Sequence, residues 1–595
     1  MSNLLTYGDY HYIRQTMQVG RDPLVPGWRR QAKMISPERF VDIMPNQRNR
    51  TRQSTRDILR NEGGMALRTF VSGMMNGATS RARPWYDLVL VDESKKSTSA
   101  DRYLSQCVRI LNQYLQVSNF YRVLPMSYKD IGIFSNSAYA MLPHDRLGFY
   151  FIPFAVGTYA IGTDSEGSVN QFSRDFTMTV RQVVEQYGKL KENGHIDWSN
   201  FDPWVQMCWE KANYTLELTL NNLIIPNADP NPNSLMSSEF MNYQSYTAIN
   251  SIGSNANSMY ETGFRYNGNK NNGVKMYPDR SDFISVKGYE YFPIIANRWE
   301  VAPEGDWGID GPGHLAVEDI LSLQETEKYR LEGVAKLVKP PMVGPASLRR
   351  HQSSILAGGI TYVDEASEGT KFRAAFEVDP QLSELINCQV DYVKAIRKAF
   401  FEDLFLMMAN DKPTSHVTAR EIEERAAEKL VGIGPAMGQL DHDQNGPVIR
   451  NAFYLLSKAG KLPPAPKEIQ GADIRPEYIS ILAQAAKASM IGSMDKLVAF
   501  VGGLAQTTQS PTITKILKED LIVRQMADFL GSSPELIRDE FEYGDIVEGV
   551  KQQQEQQLKA QQMNMASETT KNLASSEVTD TNMLGKMGKA QQQIQ

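Results

Sequence analysis

Several features that mark common classes of enzyme are scarce or missing in this 595-residue sequence. It has only three cysteines, Cys107, Cys208 and Cys388, an odd number spread widely along the chain. Neither a disulfide framework nor a clustered metal site is therefore expected. The seven histidines are scattered singly, and the usual phosphate-binding, zinc-protease and serine-hydrolase motifs do not occur. The sequence thus excludes the enzymes that such motifs define, and it predicts no cofactor.

Long apolar runs are also missing. A membrane-spanning helix needs about 20 predominantly apolar residues, and the sequence contains no such run. The first residues, Met1–Asp9, lack the basic start and apolar core of a secretory signal. We therefore expect a soluble protein that is not exported and that works in a reducing compartment without contact to a membrane.

The composition is that of a folded protein with an uneven distribution of charge. Hydrophobic residues make up 41% and charged residues 22% of the chain, values that are ordinary for globular domains. Residues 1–60 carry eleven Lys or Arg against five acids, a net charge of +6, whereas the whole chain carries −6. A basic segment of this kind binds nucleic acid or acidic protein surfaces, or is an exposed helix face, and the sequence leaves these readings open.

Hydrophobic periodicity predicts a mixture of helices and strands. Apolar residues at helical spacing predict long helices, and alternating or β-branched runs predict strands. The predicted helices span residues 51–76, 100–117, 177–188, 311–341, 380–408 and 418–440, and the predicted strands lie at 85–91, within 130–180 and at 214–221. Small residues in the first of these helices, Gly63, Gly64 and Gly73, favour close helix packing. The fold class is therefore predicted to be α+β.

One segment is similar to the start of a calcium-binding loop. Asp441, Asp443 and Asn445 have the spacing with which an EF-hand loop begins, between two predicted helices. The twelfth position of such a loop supplies a bidentate carboxylate, but here it is Ala452. Asp and Asn also favour turns on their own account. We interpret the segment as a plain turn of a helical hairpin and predict no metal site.

Other motifs resemble a viral family. An Arg81–Trp85 turn follows a glycine-rich helix, Pro293–Glu300 precedes Gly311 and Pro312, and the chain continues with Thr418–Ile422 and Leu462–Pro466. In order and spacing these segments resemble the portal, or head-to-tail connector, proteins of short-tailed bacteriophages. The resemblance covers nearly the full length of the chain.

The resemblance implies a portal fold that is assembled as a ring around a central channel. In this family the subunit has a wing, a stem, a clip and a helical crown. The implied regions are an N-terminal wing part at 1–200, the stem approach and β-rich clip at 201–310, the second stem helix at 311–341, a C-terminal wing part at 342–470 with a long helix at 380–408 and a channel loop at 409–417, a helical crown at 471–545, and a Gln-rich tail at 546–595 that is disordered or marginally helical.

The same resemblance implies where DNA passes. Within the channel loop, Asn410, Lys412 and His416 are the implied DNA-facing residues, although loop residues of these types also face water by default. The stem helix would line the channel with four charged residues, Glu318, Asp319, Glu325 and Lys328. No catalytic residue is implied.

The implied role is structural rather than enzymatic. A ring of twelve subunits at one vertex of the capsid would conduct double-stranded DNA during packaging and ejection. Its implied partners are other copies of the chain, the terminase large subunit, tail adaptor and other tail proteins, and the major capsid and scaffolding proteins. The protein would reside in the virion, and in the host cytoplasm during assembly.

Two alternatives of other classes remain at this point. A metal-dependent hydrolase or nuclease could use scattered acids such as Asp306, Asp310, Glu318 and Asp319, although carboxylates at a surface or helix start explain them more simply. A calcium-responsive interaction module could be built on 441–446. Metal-dependent turnover of DNA or ATP would support the first, and calcium-dependent stability would support the second.

Overall fold

The computed structural model describes residues 5–39, 58–92, 98–191, 195–201, 203–228, 230, 241–252, 283–338, 342–343, 373–374, 382–409, 432–466, 469, 471–479, 498–501, 503–504, 522, 546, 549–550, 552–557, 559–565 and 567. The chain divides into two compact units, Met1–Asp495 and Lys496–Gln595. The described residues of the second unit are all helical.

Helices begin and end where capping residues and glycines allow. Thr6 caps the first helix by accepting a hydrogen bond from the backbone N–H of Asp9. The described helices of the first unit are α1 Tyr7–Arg21, α2 Val25–Ile35, α3 Glu62–Gly77, α4 Thr98–Val117, α5 Phe120–Phe134, α6 Val180–Tyr187, α7 Pro203–Glu210, α8 Pro312–Val338, α9 Leu382–Ala399, α10 Glu402–Ala409, α11 Gly434–Leu440 and α12 Gly446–Lys458, with a 3-10 turn at Asp22–Leu24 and a π-helix at Asp441–Asn445.

Strands are concentrated between α5 and α8. The described strands are β1 Tyr86–Leu90, β2 Asn136–His144, β3 Gly148–Phe154, β4 Tyr159–Thr163, β5 Val169–Thr179, β6 Lys189–Leu190, β7 Ile196–Asp197, β8 Glu217–Pro226, β9 Tyr243–Ile252, β10 Ser285–Tyr289, β11 Ile294–Arg298, β12 Glu300–Val301, β13 Gly308–Ile309, β14 Met342–Val343, β15 Arg373–Ala374 and β16 Ile474–Tyr478. The mixture of helices and strands confirms the predicted α+β class.

Strands from distant parts of the sequence share sheets. A five-stranded antiparallel sheet has the order β10-β9-β8-β5-β4, and a three-stranded sheet has the order β11-β2-β3. β1 pairs with β16 from the far end of the unit, with Tyr86 opposite Tyr478. The strands of 217–289 are therefore built into one sheet with the strands of 159–179.

One part of the main core is a cluster of aromatic rings around Phe70 of α3. Phe70 is fully buried, and its ring packs against the rings of Trp299, Phe400 and Phe405 at centroid distances of 5.7, 6.3 and 6.0 Å. A Cβ atom on Gly73 would lie 2.0 Å from the Phe405 ring. The close helix packing predicted from the glycines of α3 is therefore confirmed.

Several predicted elements are confirmed. The helix predicted at 100–117 is α4, with Tyr103, Cys107 and Leu111 buried on one face. The helix predicted at 177–188 is α6, which Thr179 and Gln182 open with a capping box and which ends at Gly188. The strand predicted at 214–221 is β8, which starts later because residues 213–216 form a turn.

Two predictions about helices are wrong. The single helix predicted at 380–408 is two helices, α9 and α10, with a break at Phe400 and Phe401. Phe401 has a φ of 55°, so the chain turns there while Phe400 stays buried against Phe70. The turn predicted at 441–446 is instead a π-helix that joins α11 to α12 without leaving the helical conformation.

Candidate functional site

α8 carries the four residues predicted to line a channel. Its buried stripe runs through Gly313, Ala316, Ile320, Leu323 and Glu327, at the spacing of three and four residues that defines one face of a helix. The N-terminal end of this stripe lies directly against the C-terminal end of α5. The stripe fixes which side of α8 faces away from the body of the protein.

The opposite face of α8 is polar and accessible. Glu318, Glu325 and Lys328 are exposed, whereas Asp319 is half-buried. Glu318 accepts a hydrogen bond from Arg30 at 2.7 Å, and Glu325 accepts one from the Tyr329 hydroxyl at 2.9 Å. Helical geometry puts Glu318, Glu325 and Lys328 on one side. Their assignment to a channel wall stays a prediction.

A buried polar seam joins α8 to the start of α3. The side-chain oxygen of Gln324 accepts hydrogen bonds from the backbone N–H groups of Leu59 and Arg60 at 2.7 and 3.0 Å, and its amide donates to the Arg60 carbonyl at 2.6 Å. The three bonds satisfy both ends of one amide, as a buried polar group requires.

The seam continues between α8 and α9. Buried Glu327 accepts hydrogen bonds from Gln389 at 3.0 Å and from Arg330 at 2.6 and 2.9 Å. The Arg330 hydrogen bonds lower the pKa of Glu327. The seam was not predicted, because only the fold brings residues near 60, 325 and 389 together.

The apolar stripe of α8 continues beyond the region that the rest of the protein covers. Leu331, Val334, Leu337 and Val338 extend the stripe past Glu327, yet they are 45%, 37%, 46% and 73% exposed. Ile386 and Val390 of the adjacent α9 are similarly exposed. Clustered apolar side chains of this kind mark interaction surfaces.

The residues predicted in the channel loop lie outside the described part of the chain. Asn410, Lys412 and His416 follow the end of α10 at Ala409 and fall within residues 410–431, which the structure does not describe. Their contact with DNA therefore stays a prediction.

The π-helix buries the acid that had suggested a calcium loop. Asp443 forms a two-point ion pair with Arg298 of β11, at 2.7 Å to Nε and 3.0 Å to Nη2. The side chains are 3% and 1% exposed. Arg298 also donates to the Gly167 carbonyl at 2.8 Å, so it ties the π-helix to the turn between β4 and β5. Asp441, Asp443 and Asn445 therefore do not form a calcium loop in this structure, because Arg298 donates to both oxygens of the Asp443 carboxylate.

A network of uncharged polar groups surrounds this pair. Asn297 donates to Ser127 at 2.8 Å and to Gln444 at 2.8 Å, and Gln444 donates to the Tyr128 hydroxyl at 3.2 Å. The network connects β11, α5 and the π-helix. Sequence reasoning missed it, although the run of polar residues at 441–445 inside a helical pattern was the available signal.

His442 has neighbours in the order used by serine hydrolases. Its ring lies 2.8 Å from Asp443 and 3.4 Å from the Ser168 hydroxyl. The Asp443 carboxylate, however, is neutralised by Arg298, and the contact to Ser168 is long for a nucleophile and its base. We interpret this group as structural.

The acids that a hydrolase could use contact different partners and do not share one site. Asp306 accepts a hydrogen bond from Thr163, Asp310 lies 4.0 Å from His314, and Glu318 pairs with Arg30. Within the described residues, no group of three or more His, Cys, Asp or Glu side chains is placed to hold a metal ion. The geometry therefore gives the hydrolase alternative no support.

The raised pKa of Asp441 should make the stability of the protein depend on pH. Burial raises its pKa to about 6, although Asn445 donates to it at 2.7 Å. Because the folded pKa exceeds the unfolded one, the free energy of unfolding falls as pH rises from about 4 to about 6. We expect Asp441→Asn to stabilise the protein by roughly 1–2 kcal/mol at pH 7–8, with no difference below about pH 4. Urea unfolding across this pH range measures the effect.

The control for this experiment is Asp145→Asn, because Asp145 is exposed on a turn. It should change stability by less than about 0.5 kcal/mol at any pH. Burial also raises the pKa of Asp130 to about 6, but Asp130 is present in both proteins and cancels in the comparison. A destabilised Asp441→Asn variant at pH 8 would contradict the assignment.

None of the described helices is long and apolar enough to cross a membrane.

Comparison with known proteins matches this sequence to a phage family. The model of the bacteriophage head to tail connecting protein matches residues 9–267 and 265–537. The portal protein of Salmonella phage epsilon15 is 29% identical over 562 residues, 94% of this chain and 93% of that protein. A protein of Bordetella phage BPP-1 described as a probable portal protein is 30% identical over 573 residues, 96% of this chain and 95% of that protein. The resemblance inferred from the sequence is confirmed, and the chain belongs to the bacteriophage head to tail connecting protein family.

Proposed function

We propose that this chain is the portal subunit of a short-tailed phage, and that twelve copies form a ring at one capsid vertex. The ring conducts double-stranded DNA, docks the terminase motor during packaging and later binds tail adaptor proteins, and it has no catalysis of its own. The observation that carries the proposal is the family match over nearly the whole chain, with relatives described as portal proteins.

The polar face of α8 supports the proposed channel wall. Glu318, Glu325 and Glu332 recur every seven residues on the exposed side, with Lys328 and Lys336 beside them. A wall of mixed but mainly acidic charge holds phosphates weakly, which lets DNA slide rather than bind at one place. Asp319, which is half-buried, would contribute less, and Asn410, Lys412 and His416 are proposed to contact the DNA from the channel loop.

The exposed end of the α8 stripe supports assembly with other copies. Leu331, Val334 and Val338 lie on one side of the helix, in line with its buried residues. In a head-to-tail ring each subunit offers two different surfaces to its neighbours. We propose that this apolar end lies in the contact between subunits.

Negative-stain electron microscopy with solution mass measurement tests the proposal. We expect closed rings of about a dozen subunits with a central hole. Val334→Asp puts a charge into the proposed contact and should leave monomers or small oligomers, with the thermal stability of the single chain unchanged because Val334 is exposed there.

Lys336→Gln is the matched control, since Lys336 lies on the polar face of the same turn and should leave the rings intact. A wild-type chain that stays monomeric at several salt concentrations would contradict the proposed ring. Rings that persist in Val334→Asp would contradict only the proposed contact surface.

A further inference from the structure

Arg174 of the five-stranded sheet lies against two aromatic rings, Phe154 of β3 and Phe176 of β5. Its guanidinium carbon is 4.2 Å from the centroid of the Phe154 ring and 4.9 Å from that of Phe176. Planar guanidinium groups stack on aromatic faces in this way and leave their N–H groups pointing outward along the edge. The two phenyl rings therefore hold the cation in place but satisfy none of its hydrogen-bond donors.

The guanidinium has no polar partner in the described part of the chain. Its Nε atom is buried without a hydrogen bond, and the neighbouring Asp175 turns to the other side of the strand, where it pairs with Arg14 at 2.5 Å. Burial lowers the pKa of Arg174 to about 10, so the group is still charged at neutral pH. The residue as a whole is half-buried, so the other guanidinium N–H groups reach the surface, where a cation without a protein hydrogen bond can bind an anionic partner.

A second cation faces the same side of the sheet. Arg174 of β5 lies opposite Asn222, Asn222 opposite Thr247, and Thr247 opposite Ser285 of β10. Lys287, two residues beyond Ser285, shares the face of Ser285 because side chains alternate along a strand. It is exposed, and its Nζ is 6.0 Å from the Tyr187 ring.

Tyr187, the last residue of α6, lies near both cations. Its ring is the one that Lys287 approaches, and its hydroxyl interacts electrostatically with Arg174. Arg174 and Lys287 lie three strands apart, about 14 Å across the sheet at the usual strand spacing, so Lys287 borders the area beside Arg174 and Tyr187 without meeting Arg174. In the described residues no carboxylate pairs with either cation.

We propose that Arg174 and Tyr187, with Lys287 at the edge, form an anion-binding site that accepts the carboxylate of an acidic side chain from a protein partner. The planar edge of a guanidinium matches a carboxylate with two parallel hydrogen bonds. Duplex DNA is a poorer fit for this site. DNA-binding surfaces carry many Lys and Arg side chains that reach successive phosphates, whereas this area has two cations, one of which is recessed between aromatic rings.

Fluorescence anisotropy with the full-length protein tests the proposal. The probes are two fluorescein-labelled peptides, one with four aspartates separated by glycines and one with four asparagines in the same places. We expect the wild type to bind the aspartate peptide and not the asparagine peptide. Arg174→Met should weaken binding about tenfold or more, since hydrogen bonds to charged groups contribute that much, and Lys287→Met should weaken it less. Arg102→Met, at an exposed position of α4, should bind as the wild type does.

Thermal unfolding separates this role from a purely structural one. If the role of Arg174 is to bind an anion, the free protein gains little stability from it, because its buried Nε has no hydrogen bond. The Arg174→Met variant should then unfold at the same or a higher temperature than the wild type. A lower unfolding temperature together with unchanged peptide binding would overturn the proposal. Equal affinity for the two peptides would overturn it as well, and stronger competition by inorganic phosphate than by acetate would overturn the assignment to a carboxylate. None of these readouts depends on whether the chain forms rings.

Discussion

Replacing Arg298 with methionine is expected to lower the free energy of unfolding by about 3–5 kcal/mol. The variant leaves the Asp443 carboxylate, whose side chain is 3% exposed, without its cation. It also removes the hydrogen bond to the Gly167 carbonyl, which ties the β4–β5 turn to the π-helix. Urea unfolding monitored by fluorescence and circular dichroism measures the loss.

The double variant Arg298→Met with Asp443→Leu separates the buried charge from the lost packing. Replacing a buried ion pair by apolar residues is often neutral, whereas leaving one charge alone is costly. We therefore expect the double variant to recover most of the stability that Arg298→Met loses. If the double variant is as unstable as Arg298→Met, the surrounding polar network, and not the unpaired carboxylate, causes the loss.

Gly313→Ala is expected to destabilise the protein by about 1–3 kcal/mol or more, because the site is already full. An added Cβ would lie 2.6 Å from the Ile133 carbonyl oxygen and 2.7 Å from that of Gly132. These are backbone atoms at the end of α5, so the clash is relieved only if α8 moves away from α5. Thermal unfolding of the purified variant measures the loss.

Gly438→Ala is the matched control, since Gly438 lies in α11 and an added Cβ there would meet nothing within 4 Å. In a helix this change reduces the freedom of the unfolded chain and should stabilise by about 0.4–1 kcal/mol. The two variants should therefore shift the unfolding temperature in opposite directions. Equal shifts would show that the α8–α5 contact is looser than the structure has it.

Local sequence patterns predicted elements whose cause is local. The faces of α4 and α6 follow from apolar spacing, and Thr179 and Gln182 cap α6 through bonds that span three residues. The glycines of α3 predicted close packing because a helix surface without side chains lets any neighbouring element approach, so the identity of the neighbour need not be known. The family was also predicted, since the motifs that carry it are short and ordered along the chain.

The break between α9 and α10 had no local signal. Phe400 and Phe401 continue the apolar spacing, and neither is a residue that favours a turn. The break forms because Phe400, Phe405 and Phe70 pack together only if the chain changes direction. The π-helix also had no local signal. Its polar residues predict an exposed turn, and only the ion pair with Arg298, which is distant in sequence, explains why Asp443 is buried.

The sequence by itself therefore determined the α+β class, several of the helices and the membership of the phage connector family. Only the tertiary structure decided which polar residues are buried together, as in Gln324 with Arg60 and in Asp443 with Arg298. It also decided that Arg174 stacks between two phenyl rings without a hydrogen bond. The physical reason is that these contacts join residues far apart in the chain, and the energy of a buried charge depends on the partner that the fold brings to it.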